Sequence, residues 1–109
     1  MKFGVSDQMI CAIHDILHRY PEVDQAILYG SRAKGNYKRG SDIDLTLIGS
    51  HEPTHKILLR IARELEESSI SYLVDLSICN QISDKDVRNH IQRRGIVFYQ
   101  KRQQGQLPK

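Results

Sequence analysis

The sequence predicts an α/β (α+β) domain, a small mixed sheet of three to four strands with helices packed on it. Three observations predict it. Segments 42–48 and 71–78 alternate apolar and polar residues with the two-residue period of a strand. Two other segments repeat apolar residues at the three-and-four spacing of an amphipathic helix. These patterns are interleaved, in the order α-β-(turn)-β-α-β-α with room for a final β. That is the order of a sheet covered by helices.

Each element has its own local reason. Ser6 is placed to cap a helix beginning at Asp7, with Ile10, Ile13, Leu17 and Tyr20 as its stripe and Pro21 as its stop. Gln25–Tyr29 is a short apolar run entering a glycine, which reads as a buried strand. Segment 30–40 holds three glycines and four cations, Arg32, Lys34, Lys38 and Arg39, and reads mostly as loop with one helical turn. In 42–48, Ile43, Leu45 and Leu47 face one way and Asp42, Asp44 and Thr46 the other. A helix is predicted over 54–68, with Leu58, Ile61, Ala62 and Leu65 as its stripe. In 71–78, Tyr72, Val74, Leu76 and Ile78 share one face, and Leu73, Asp75 and Ser77 share the other. Ser83-Asp84-Lys85-Asp86 is like a capping box with Asp in place of Glu. It opens a helix that includes Val87 and Ile91 and ends before Gly95, and 96–99 can add a last strand.

Composition bounds the function. The 109 residues, 39% hydrophobic and 27% charged, suit one soluble domain, expected over 1–99 with a polar basic tail over 100–109. No uncharged apolar run approaches the roughly 18 residues of a membrane span. Asp7 interrupts any secretory h-region, so a cytoplasmic protein is expected. The net charge of +3 suits an anionic ligand such as a nucleotide, and direct nucleic-acid binding is not expected. Cys11 and Cys79 form no C-x-x-C and read as two buried thiols of a reducing compartment. His14/His18 and His51/His55 have a spacing that can bind zinc, but neither pair brings a third ligand, so all four read as surface residues. Tyr29 is expected in the core, and Tyr37 either there or against a ligand.

The chemistry-bearing stretch is Gly30-Ser31-Arg32-Ala33-Lys34-Gly35 followed by Ser41-Asp42-Ile43-Asp44-Leu45. Residues two apart on a strand lie about 6.6 Å apart on one face, so Asp42 and Asp44 can converge on one point. If the strand carrying Asp75 neighbours theirs, a third carboxylate joins them. Three carboxylates within about 5 Å repel by about 3 kcal/mol per pair at an effective dielectric of 20. Such a cluster calls for bound cations, and oxygen ligands of this kind suit Mg²⁺. Two such ions can activate a hydroxyl and stabilise a leaving phosphate oxygen. Gly30 lets the backbone approach a ligand closely, Ser31 offers a hydroxyl and an amide, and Arg32 and Lys34 add positive charge for a triphosphate. Gly-Ser, ten residues, then Asp-x-Asp arises by chance in about 2 in 1000 chains of this length.

These residues resemble the signature of the minimal nucleotidyltransferases of the DNA polymerase β-like superfamily. That signature is Gly-Ser-x-x-x-Gly, then Asp-x-Asp, then a later strand Asp, here in Tyr72-Leu73-Val74-Asp75-Leu76. The likeness spans about 6–99 and implies the nucleotidyltransferase fold. It implies that Asp42, Asp44 and Asp75 are catalytic and hold two Mg²⁺. It also implies that Gly30, Ser31, Arg32, Lys34 and Ser41 bind the nucleotide, ATP. Many stand-alone members of this size look like antitoxins of helical HEPN ribonuclease toxins and act as protein adenylyltransferases, moving AMP from ATP to a toxin tyrosine. Only a short tail follows Tyr99, so the acceptor is expected on another chain, in a hetero-oligomer. The rival expectation is a non-catalytic antitoxin that blocks its toxin by binding alone; transfer to a small hydroxylated molecule is a third.

Overall fold

The computed structural model describes residues 2–49, 55–68, 70 and 72–101. Strands β1 (Gln25–Tyr29), β2 (Ile43–Ile48), β3 (Val74–Ile78) and β4 (Ile96–Gln100) form one sheet in the order β3-β2-β1-β4. β1 pairs antiparallel with both β2 and β4, whereas β2 and β3 run parallel. A parallel pair needs a long crossover, and α3 (His55–Glu67) lies within the one joining β2 to β3. The other helices are α1 (Asp7–His18), the single turn α2 (Ser31–Lys34) and α4 (Lys85–Arg94), with a 3₁₀ turn at Cys79–Gln81.

The predicted stripes meet on one face of the sheet. Ile13 and Leu17 of α1 and Ile61 and Leu65 of α3 are buried with Ala26, Leu28, Ile43, Leu45 and Leu47. A register shift opposite Ala26 and Ile27 makes Phe98 an extra residue on β4. Phe98 and Tyr99 therefore both enter this core, as a bulge allows. On the outer side of the helix pair, the Glu64 carboxylate accepts from Arg19 and from the Tyr20 hydroxyl. Burial, and then that bond, push the Tyr20 phenol up to about 12.

Most predicted bounds hold within a residue or two, and the departures have local causes. Ser6 does cap α1, accepting from the Met9 N–H at 3.2 Å, but α1 ends at His18, ahead of Pro21. The cap of α4 is Asp84, whose carboxylate accepts from the N–H groups of Asp86 and Val87; Ser83 lies outside the helix. β3 begins at Val74 because that residue pairs with Ile43, the first residue of β2. Of the helix expected over 54–68 and the strand expected over 71–78, residues 54 and 71 lie outside the described residues.

β4 reaches Gln100, and Lys101 is tied back by its N–H to the Asp24 carbonyl and by its ammonium to the Pro21 carbonyl. The folded part thus runs past residue 99; the rest of the expected tail lies outside the described residues. Both cysteines are free as expected, but neither is buried: Cys11 sits off the α1 stripe and is exposed, and Cys79 opens the 3₁₀ turn past β3. His14 is not a surface residue. Its Nε2 bonds the Phe98 carbonyl at 2.6 Å, and its ring packs edge-on against Phe98 and Tyr99, fastening α1 to β4. His18 and His55 are exposed, and His51 lies outside the described residues. No helix among the described residues is long and apolar enough to cross a membrane.

Candidate active site

The sheet face opposite the core carries the polar residues, and its register decides which of them meet. Tyr29 on β1 pairs with Asp44 on β2, and Asp44 pairs with Asp75 on β3. Residues directly paired on neighbouring strands point to the same face, with strands about 4.8 Å apart. Tyr29, Asp44 and Asp75 therefore form one row across three strands. Asp42 stands two residues before Asp44, in the approach to β2 instead of within the strand as expected. The next row along the face is Ile27, Thr46 and Ser77. The fully buried Thr46 hydroxyl accepts from Ser77 at 2.9 Å, and Tyr29 Oη lies 3.5 Å from Ser77 Oγ.

The electrostatics register the crowding. Burial raises the Asp44 carboxyl above its ordinary range, and the charges of Asp75 and then Asp42 raise it further. Burial also raises the Tyr29 phenol; the Ser77 bond lowers it, and Asp44 and Asp75 raise it again. Tyr29 thus belongs to the carboxylate row and not to the apolar core. Among the described residues, no three His, Cys, Asp or Glu side chains are gathered into an ion-holding group. The three carboxylates are near enough that Asp75 and Asp42 both act on Asp44.

Gly30 joins this row to the loop. Its φ of +78° and ψ of −158° suit only glycine, and a Cβ there would overlap Asp44 Oδ2. Its N–H donates to His90 Nε2 of α4 at 2.8 Å. Ser31 opens α2, and Gly35 ends that turn with φ +89° and an N–H bond to the Ser31 carbonyl. Lys34 is exposed at the end of the turn.

Arg32 departs from the phosphate role expected of it. Only 3% exposed, it donates from Nε and Nη2 to the Ser41 carbonyl, at 3.1 and 2.8 Å, and from Nη1 to the Phe3 carbonyl at 2.7 Å. The Tyr37 and Tyr72 rings stack on its guanidinium at 5.0 and 4.7 Å. With these donors taken by backbone and its faces covered, Arg32 braces the loop from within. Ser41 is likewise a turn residue: its carbonyl takes two Arg32 bonds and its hydroxyl accepts from the Lys38 N–H at 2.9 Å. Together they fix the backbone immediately before Asp42. Local sequence does not separate a phosphate-binding arginine from a bracing one, because Phe3, Tyr37 and Tyr72 come from three separate segments. His90 was missed for a similar reason, lying sixty residues from the glycine it holds.

Solved structures share this architecture. A toxin–antitoxin crystal structure with AMP-PNP superposes with a TM-score of 0.67 at 20% identity, covering 92% of this chain and 77% of that one. The MntA-HpeT toxin–antitoxin mutant gives 0.66 at 18%, over 87% and 75%. The tri-AMPylated Shewanella oneidensis HEPN toxin in complex with MNT antitoxin gives 0.63 at 17%, over 85% and 71%. No curated protein matches the chain significantly. The family model of the polymerase beta nucleotidyltransferases matches residues 12–104, most of the chain, so the chain belongs to the polymerase beta nucleotidyltransferase family.

Proposed function

We propose that the chain moves AMP from ATP to a hydroxyl, a tyrosine of a helical HEPN-type toxin, and thereby acts as its antitoxin within a hetero-oligomer. The observation that carries this reading is the cross-strand pairing of Asp44 with Asp75, with Asp42 beside them, at the Gly30 bend. The HEPN–MNT complex with its tri-AMPylated toxin and the complex with AMP-PNP, both similar in fold, support the choice of donor and acceptor.

The donor set suits Mg²⁺. Three carboxylates whose charges oppose one another, enough to help raise Asp44, are an oxygen-ligand set that divalent cations relieve. Asp42, Asp44 and Asp75 would hold two ions, which when bound supply charge neutralisation at the phosphates and activation of the acceptor oxygen. The rest falls to the chain. Gly30 and Ser31 place the triphosphate against the carboxylate row, and Lys34 adds a cation beside it. Arg32 and Ser41 hold the backbone that presents Asp42. The acceptor oxygen bonds to the α-phosphorus, the bond from that phosphorus to the bridging oxygen breaks, and pyrophosphate leaves. The hydroxyl proton passes to Asp75. Most of the rate gain comes from positioning and from charge placed where charge develops.

The test uses the purified chain, α-labelled ATP, Mg²⁺ and a HEPN-type toxin. Label should appear on a toxin tyrosine. Asp42→Asn or Asp44→Asn should lower the transfer rate by at least about 100-fold, the scale for losing a key charge partner of the transition state. Toxin neutralised by both variants without any label would instead identify a binding-only antitoxin.

A further inference from the structure

β1 ends at Tyr29, so the Gly30 N–H lies past the strand ladder, and as the residue before α2 it stands outside that turn as well. The Gly30 carbonyl has a partner in α2, accepting from the Lys34 N–H at 3.1 Å. Its N–H finds an acceptor sixty residues away, His90 Nε2 of α4, at 2.8 Å. An accepting Nε2 puts the proton of the neutral ring on Nδ1. The same ring packs edge-on against Tyr29, with centroids 6.3 Å apart. His90 therefore meets the β1 member of the carboxylate row and the glycine that lies against Asp44.

The end of α4 sets the ring at this place. Ile91, the residue after His90, is buried, and a Cβ on Gly95 would overlap both the Ile91 carbonyl and the Ile27 side chain. The glycine thus lets the helix end lie close over β1. Gly30 in turn has the φ of +78° and ψ of −158° that glycine alone adopts readily, with the Asp44 carboxylate filling the space of a side chain. A backbone conformation of that kind persists where its surroundings hold it from several sides. Asp44 stands on one side of Gly30, α2 holds its carbonyl, and His90 holds its N–H.

We propose that His90 is a positioning residue for the transfer. By accepting the Gly30 N–H it fixes the bend, and through the bend it fixes the Asp44 carboxylate. The role belongs to the acceptor nitrogen, and the packing against Tyr29 serves to aim it. The proposal deepens the transfer reading above and rests on it for the effect on rate; the hold on Gly30 does not depend on that reading. Without the acceptor, a half-buried N–H either goes unmet or turns toward another partner. Turning it rotates Gly30 and moves the wall against which Asp44 lies. A displacement of about 1 Å at a reacting group can cost about 100-fold in rate. The loss should fall mainly on kcat, because Asp44 acts at the α-phosphorus while Ser31 and Lys34 hold the rest of the triphosphate.

Variants at this one position separate the acceptor from the ring. His90→Gln keeps an oxygen that can accept and loses the ring. His90→Phe keeps a ring against Tyr29 and loses the acceptor, and His90→Ala loses both. In the transfer assay with the full chain, His90→Phe and His90→Ala should lower kcat about 10-fold or more with KM for ATP within about 3-fold, and His90→Gln should recover most of the rate. Amide exchange of the Gly30 N–H, followed by NMR without nucleotide, should quicken at least about 10-fold in the same two variants and not in His90→Gln. His90→Phe stays informative if His90→Ala loosens α4. An unchanged kcat in His90→Phe would overturn the positioning role while transfer itself stands, as would a His90→Gln no better than His90→Ala. Exchange that follows the acceptor, in a chain that moves no nucleotide, would keep the hold on Gly30 and remove the transfer reading.

Discussion

Asp44 and Gly30 are so close that each restricts the other. At Gly30, a positive φ and the Asp44 carboxylate both exclude a side chain. Gly30→Ala should therefore force the carboxylate aside as well as strain the backbone by about 1–3 kcal/mol. Transfer is expected to fall by about 100-fold or more in a chain that still melts cooperatively. A rate within a few-fold of the unaltered chain would show that the contact has no part in catalysis. Asp44 makes an opposite kind of prediction. Burial first, then Asp75 and Asp42, hold its carboxyl above the ordinary range. The folded chain thus binds this proton more tightly than the unfolded chain does. That contribution to stability is full below the usual carboxylate range and is lost as pH rises through the elevated folded value. Without Mg²⁺, Asp44→Asn should raise the melting temperature at neutral pH, with the advantage shrinking in acid, while the same change abolishes transfer. A lower melting temperature at neutral pH would mean that the Asp44 charge is compensated in the metal-free chain.

The elements show which parts of this arrangement were legible in sequence. The start of α1 and both bounds of β1 were readable because Ser6, the three-and-four stripe, and an apolar run entering Gly30 are local signals. The pairing of Asp44 with Asp75 was conditional on the strand order, and the parallel register of β2 and β3 supplies it. Tyr29 was misplaced because an apolar run conceals which of its residues point away from the core. Arg32 was not resolvable from sequence, because a cation in a glycine-rich loop reads the same whether it meets a phosphate or two carbonyls. The bracing role makes its own prediction. Arg32→Lys keeps the charge but cannot make two bonds to Ser41 and one to Phe3 while lying flat between Tyr37 and Tyr72. Stability should drop by about 1–3 kcal/mol in urea denaturation. Transfer should fall mainly in kcat, because Asp42 is displaced. A variant whose only defect is a raised KM for ATP would instead place Arg32 on the nucleotide.

At the scale of the molecule, the carboxylate face leans on the core behind it as well as on its own bonds to Ser77 and His90. Tyr29, Asp44 and Asp75 come from three strands, and two of them, β1 and β2, are the interior strands of the sheet. The strands that carry them bury the apolar core on their opposite side, so weakening that core loosens the site as well. Leu28, fully buried on β1, and Leu59, 56% exposed on α3, are the same residue type in opposite settings. Leu28→Ala removes buried methyl groups from a packed interior and should cost about 2–5 kcal/mol. That is a large share of the roughly 5–15 kcal/mol that keeps a domain folded. Leu59→Ala leaves no cavity and should stay within about 0.5 kcal/mol. In urea, the Leu28→Ala midpoint should move to lower concentration with an unchanged slope, because the same surface is exposed on unfolding. At temperatures where it remains folded, its transfer rate should stay near that of the unaltered chain, since no group on the carboxylate face has changed. Equal midpoints for the two variants would mean that β1 does not lie at the centre of the core, and the row it helps to build would lose its physical basis.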